Sequence, residues 1–262
     1  MGNWIIPEYG KKAYLRGWKN IKWSRINEIK KFDHYDVFYE GATVDDIKQG
    51  GIGDCYFLSA IGSLCKLRGF IESHFYLDKE DQHIYGINFF INGRWERVLV
   101  DDYFPCIYDE RNIFGELYFS CSFQNELWVS LIEKAWAKIN GSYANIDYGG
   151  YSYEAFDTLT EACSEHIKIE DKGKNKIWKI LENSMDRNYL MTVASKSFGF
   201  LDTLKYVMLM GIEEGHAYTV IKVKEIEPNK GEKIRLVQLR NPYGEKEYTG
   251  DWGKCSKNGL QN

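Results

Sequence analysis

The sequence predicts an α+β fold of two subdomains facing each other, on three observations. Apolar residues recur at helical spacing behind Cys55 and again over 125–140. Two strand-like runs meet at Asn92-Gly93, a dipeptide that turns hairpins because both residues tolerate a left-handed backbone. From Leu190 the period changes to two, with runs at Leu190–Ala194, His216–Val223 and Ile234–Leu239. Helices are therefore expected to dominate the first part and antiparallel strands the last.

Taken in order, residues 1–35 are aromatic and basic, and the piece from Trp23 to Ile29 reads as a docking segment. Residues 39–54 form a polar, glycine-bearing loop ending in Gln49-Gly-Gly-Ile-Gly-Asp-Cys55. A helix starts there, with Phe57, Leu58, Ile61 and Leu64 on one face and Asp54 as its N-cap. Ile84–Ile91 and Arg94–Val100 are the hairpin strands, and Val100-Asp-Asp102 closes the second before Pro105. The 125–140 helix carries Leu127, Leu131, Ala135 and Ile139 on its stripe, with Glu126, Glu133, Lys134 and Lys138 off it, and Gly141 stops it. Residues 147–165, rich in Gly, Tyr and Ser, read as cleft-lining loop. A second amphipathic helix spans about 174–186, and Pro228–Gly231 turns between the last two strands.

A length of 262 residues admits one large domain or two medium ones. A net charge of −4 offers no basic field for nucleic acid or anionic lipid. No apolar run reaches membrane-spanning length. The Met-Gly-Asn-Trp start lacks the plan of a signal peptide, so the six cysteines are expected as reduced thiols in the cytoplasm. Neither CxxC pairs nor His–Cys spacings suggest zinc, and no EF-hand loop is present.

The chemistry gathers in three places. Cys55, in a first helical turn, sits where unpaired N–H groups favour a thiolate. Gln49 can turn its amide toward the same sulfur as an oxyanion donor. Gly215-His216-Ala-Tyr begins one strand and Arg240-Asn241-Pro-Tyr243 ends the next. Hairpin pairing of the two makes His216 and Asn241 neighbours, an imidazole with an orienting amide. Each residue alone also fits an inert role: a buried thiol, a satisfied strand histidine, a turn asparagine before proline.

With these blocks the sequence resembles the calpain family of intracellular cysteine proteases, over nearly the whole chain from about residue 23 to 252. Val100-Asp-Asp102, Glu126-Leu-Trp128, Glu133-Lys-Ala135, Ala137-Lys-Ile-Asn-Gly-Ser-Tyr143 and the run from Leu239 to Gly250 also carry the likeness. The resemblance implies a papain-like fold, a helical subdomain facing an antiparallel β subdomain across an active-site cleft. The implied domains are a docking segment at 1–35, a first core subdomain at 36–160 and a second at 161–262, incomplete at its C-terminus. It implies Cys55 as nucleophile, His216 as general acid/base, Asn241 as orienter and Gln49 as oxyanion donor. Gly150 and Gly215 match backbone contacts to bound peptide, and Tyr243 matches the aromatic that shields the His–Asn pair. It further implies Ca²⁺, one ion per subdomain. The first site takes the carbonyls of Tyr39 and Gly41 and the carboxylates of Asp46 and Glu126; the second retains Glu247. Departures are Tyr56 and Tyr243 at tryptophan positions, Glu161-Ala162 at a Gly-Gly hinge, Val44 for a basic residue and Lys254 for an aspartate.

The expected function is a calcium-promoted cytoplasmic endopeptidase making limited cuts in protein substrates, with further domains outside this chain. A non-catalytic calpain-fold scaffold or regulatory module is the alternative. Cys-His-Asp acyl transfer is set against by Asn241.

Overall fold

In the computed structural model, which describes residues 21–29, 34–79, 82–108, 115–196, 210–229, 231–245, 248–253 and 256, the hairpin at Asn92-Gly93 is present with both turn residues at positive φ, 52° and 79°. The first strand, β1 (Ile21–Arg25), is followed by a 3-10 turn at Ile26–Glu28 and a short β2 (Ile47–Lys48). Helix α1 (Cys55–Leu64) and the single-turn α2 (Phe70–His74) lead into β3 (Phe75–Lys79), β4 (Ile84–Ile91), β5 (Arg94–Asp101) and β6 (Tyr103–Ile107). Two short strands, β7 (Glu116–Leu117) and β8 (Cys121–Ser122), precede α3 (Trp128–Ile139), α4 (Tyr143–Ile146), α5 (Ser152–Thr160) and α6 (Lys174–Asp186). The chain closes with β9 (Thr192–Ala194), β10 (Ala217–Asn229) and β11 (Glu232–Arg240). Helices are mixed with antiparallel sheets throughout, an α+β fold.

Two compact units divide these elements. One takes the residues up to Ala42, Asp46–Asp54 and Glu72–Gly149; the other takes Thr43–Asp45, Cys55–Ile71 and the chain from Gly150 on. The cut is not linear in sequence, and α1 belongs with the C-terminal strands.

Of the four sheets among the described residues the first unit holds three, so strands are frequent well before residue 160. β4 alternates as a half-buried strand must, with Tyr85, Ile87 and Phe89 fully buried. Its partner β5 sends Val98 and Val100 inward and leaves Leu99 exposed. Helix α3 lies on β5, with Phe89 and Trp136 ring centroids 6.2 Å apart. The helix is wider on its buried side than one stripe: every residue from Trp128 to Ala137 is buried except Lys134. Lys134 snorkels to Asp101 and to the Tyr103 carbonyl, the latter at 2.6 Å.

Trp23–Ile29 is a core element rather than a docking piece. β1 pairs along β6 from Ile21↔Ile107 to Arg25↔Tyr103, and Ile26 and Ile29 are fully buried. Pro105 lies inside β6 opposite Trp23, so the strand runs through the proline at the cost of one ladder donor. Of the proposed 1–35 segment, 1–20 and 30–33 lie outside the described residues.

In the second unit the sheet order is β11-β10-β9, all antiparallel. Helix α1 is buried on every side, packed on β10 and on α5. Its Ser59 and Ser63 let neighbours approach closely: the Ser59 carbonyl accepts from Thr219 Oγ1 at 2.8 Å, and Ser63 Oγ accepts from Met191 N–H at 3.1 Å. β10 is buried from Ala217 to Val220 and runs on to Asn229, beyond the expected end at Val223.

Candidate active site

The loop before α1 is packed tightly rather than flexible. A Cβ on Gly50 would run into the Phe119 carbonyl, and one on Gly53 into the Asp147 carbonyl. The Gly51 N–H bonds Tyr118 O at 2.8 Å, and the Gly53 N–H bonds Asp147 Oδ1 at 2.9 Å. These glycines are needed for close backbone approach, since none of the three has a positive φ. Gln49 is buried, and its Nε2 donates to Ile52 O at 2.7 Å, within its own loop. That bond uses one of the two amide hydrogens. Asp54 is fully buried, and its carboxyl hydrogen-bonds Glu133.

Cys55 opens α1 and is buried at 9% exposure. Burial pushes its thiol up, against the opposing N–H groups of Ala217, Tyr56 and Cys55 itself. The expectation of a depressed thiol pKa is therefore reversed here: desolvation outweighs the helix terminus. The Ala217 contact brings the sulfur to the first residue of β10, next to His216.

His216 is 3% exposed and Asn241 9%. Hairpin pairing of β10 with β11, with Thr219 opposite Arg240, brings the two together, and His216 Nε2 lies 2.8 Å from Asn241 Oδ1. Asn241 Oδ1 also accepts the Tyr243 N–H at 3.0 Å. A backbone N–H can only donate, so this atom is the amide oxygen. The imidazole must then donate from Nε2, and in its neutral form Nδ1 is the acceptor, the tautomer a general base requires.

Rings hold the histidine in place. Tyr243 stacks on it at 4.4 Å between centroids with planes 26° apart, and Tyr218 meets it edge-on at 4.9 Å. The His216 N–H donates to Ser195 Oγ at 3.0 Å, and that hydroxyl donates to Glu213 O at 2.6 Å. Sequence reasoning missed Ser195, which no motif marks. Tyr218 was within reach, since alternation along β10 puts it on the His216 face. Gly215 takes φ 57° just before the strand. Gly150 faces the Tyr56 ring, which a Cβ would meet at 2.7 Å.

The acids matched to calcium lie in the first unit. Glu126 is 1% exposed and Asp46 4%. Glu126 accepts the Tyr39 N–H on Oε1 and Ser122 Oγ on Oε2, the latter at 3.1 Å. Burial pushes its carboxyl up, and the Asp46 charge adds to that. Among the described residues no group of three or more His, Cys, Asp and Glu gathers as a metal site. The donor set is instead two buried, mutually repelling carboxylates, one of them holding the Tyr39 N–H, and carboxylates are hard oxygens of the kind calcium takes. Glu247 lies outside the described residues. Among the described residues no helix is long and apolar enough to cross a membrane.

Comparison with known proteins finds a family described as calpain family cysteine protease, matching residues 9–259. The calpain-type cysteine protease DEK1 of Zea mays is 32% identical over 246 residues, covering 90% of this chain and 11% of that protein. DEK1 of Arabidopsis thaliana is 33% identical over 247 residues, with the same shares. The calpain-1 catalytic subunit of Mus musculus is 32% identical over 241 residues, 90% of this chain and 32% of that one. The chain thus spans between 11% and 32% of the length of these relatives.

Proposed function

Because the chain belongs to the calpain family of cysteine proteases, we propose that it hydrolyses peptide bonds of protein substrates with Cys55 as nucleophile, His216 as general acid/base and Asn241 as orienter. The observation that carries this reading is the 2.8 Å bond between His216 Nε2 and Asn241 Oδ1, with the sulfur of Cys55 held by the adjoining Ala217 N–H. In the proposed cycle His216 Nδ1 takes the Sγ proton as sulfur attacks the peptide carbonyl. The same proton then goes to the departing amine, leaving a thioester on Cys55. A water, deprotonated at Nδ1, hydrolyses the thioester and returns the thiol. Asn241 holds the imidazolium in register through both steps, and Tyr243 covers the pair from water. Gln49 donates its second amide hydrogen to the oxyanion, and Gly150 and Gly215 hold the peptide backbone.

A papain-like arrangement about a cleft, with docking by the residues that precede Trp23, is part of this reading. So are an intracellular location and further domains outside the chain. Calcium is assigned to the carbonyls of Tyr39 and Gly41 and the carboxylates of Asp46 and Glu126, with Glu247 as a remnant of a second site. When bound, the ion supplies positive charge that neutralises the buried acids.

The burial-raised Cys55 thiol favours one second reading, a calpain-fold module without catalysis. Cleavage of a casein-type substrate, with calcium and with chelator, separates them. Calcium-dependent cleavage is the expected result. Cleavage in chelator removes the calcium gate, and no cleavage together with no reaction of Cys55 with an epoxide such as E-64 selects the module.

A further inference from the structure

Asp54 and Glu133 are a contact between two buried acids that the proposed chemistry does not use. Asp54 is wholly buried, Glu133 is 1% exposed, and their carboxyls are hydrogen-bonded to each other. Two carboxylates at that range in a dry interior cannot both carry charge, because no water screens their repulsion. Glu133 is otherwise held by the Ser120 N–H, which reaches Oε1 at 3.1 Å and Oε2 at 3.3 Å. Among the described residues of the elements packed on α3, Tyr143 of α4 also lies against this pair, with its hydroxyl buried. Asp101 of β5 acts on Tyr143 and is itself paired with Lys134.

We propose that Asp54 and Glu133 share one proton in a buried carboxyl–carboxylate hydrogen bond, and that this bond positions the residue immediately before the nucleophile. It works with the Gly53–Asp147 bond at 2.9 Å, so two successive residues of the loop are pinned. Glu133 is thus a positioning residue, acting on Cys55 through the chain, and its role in catalysis rests on the reading of Cys55 given above.

The shared proton has a signature in stability. Burial pushes the Glu133 carboxyl up from 4.5 to about 7, so the folded protein binds a proton between those values that the unfolded chain releases. The contribution is complete below the unfolded value and is lost as pH rises through the folded one.

The test compares the full chain with Glu133→Gln and Glu133→Ala. Urea midpoints are measured from about pH 5 to about pH 8. The parent should lose stability across that range relative to Glu133→Gln, which keeps a donor but cannot titrate; parallel pH slopes would overturn the shared proton. Alkylation of Cys55 by iodoacetamide, followed by peptide mass, reads the positioning. Glu133→Ala should slow it about tenfold, and Glu133→Gln should restore most of that loss. Equal rates in the Ala and Gln variants would overturn the positioning role. Should Glu133→Ala not fold, Glu133→Leu, which fills the volume without a donor, takes its place. If the parent's Cys55 reacts no faster than exposed Cys163, the protease reading fails, while the urea comparison still decides the proton.

Discussion

The two compact units bury polar groups of different kinds. In the second, the buried polar groups around Cys55 include no carboxylate: His216, Asn241, Thr219 and Ser59 are tied by bonds of 2.8 Å and walled by tyrosine rings. The first buries acids among its polar groups: Asp46, Asp54, Asp102, Glu126 and Glu133, each at most 4% exposed. A neutral hydrogen-bonded group costs little to bury, whereas a carboxylate must be protonated, hydrogen-bonded or matched by a cation. The unit holding the proposed nucleophile can therefore rest uncharged, and separate charge only when a proton moves from sulfur to imidazole. The other carries a standing electrostatic cost, which makes it the unit sensitive to pH and to ions.

The comparison breaks most decisively at the sulfur. Cys55→Ala should remove peptide hydrolysis, by about six orders of magnitude, while leaving the thermal melt close to the parent's. Residual turnover in that variant would mean that another group attacks. Asn241→Ala comes next, with about a hundredfold loss in kcat and little change in KM, since it frees the imidazole without touching the substrate. A loss that fell on KM alone would assign Asn241 to binding.

Gly50→Ala probes the first unit in turn. Its Cβ would meet backbone, the Phe119 carbonyl, which cannot rotate away. A destabilisation of about 2 kcal/mol is expected, read as a lower urea midpoint at unchanged m. An unchanged midpoint would show that the loop yields, contrary to its close packing.

What was legible in the sequence follows the range of the forces involved. Asn92-Gly93 and the 174–186 helix are set by residues a few positions apart, and both are present as expected. The nearness of His216 to Asn241 was legible because hairpin pairing is itself a short-range rule. Trp23–Ile29 was not, because its partner strand lies some 80 residues on and contains Pro105, which argues against a strand when read locally. Glu133 was misplaced for a related reason. An acid off the apolar stripe reads as a solvated face, and only the fold brings Asp54 and the Ser120 N–H to it. The thiol pKa was misjudged because sequence shows the helix start but not the burial that overrides it.

The smallest effect tests how the neutral group is built. Thr219 Oγ1 donates to the Ser59 carbonyl at 2.8 Å, tying β10 to α1 two residues past Ala217, whose N–H reaches the sulfur. Thr219→Val keeps the shape and deletes the donor. The Ser59 carbonyl lies within α1 and retains its helical partner, so the expected cost is about 1 kcal/mol. If that bond sets the distance between Cys55 and the start of β10, the variant should also lose alkylation rate at Cys55, beyond what its small loss of stability explains. If the melt falls and the Cys55 rate does not, the helix and strand are held by their apolar packing alone, and the hydroxyl contributes stability without setting the position of the thiol.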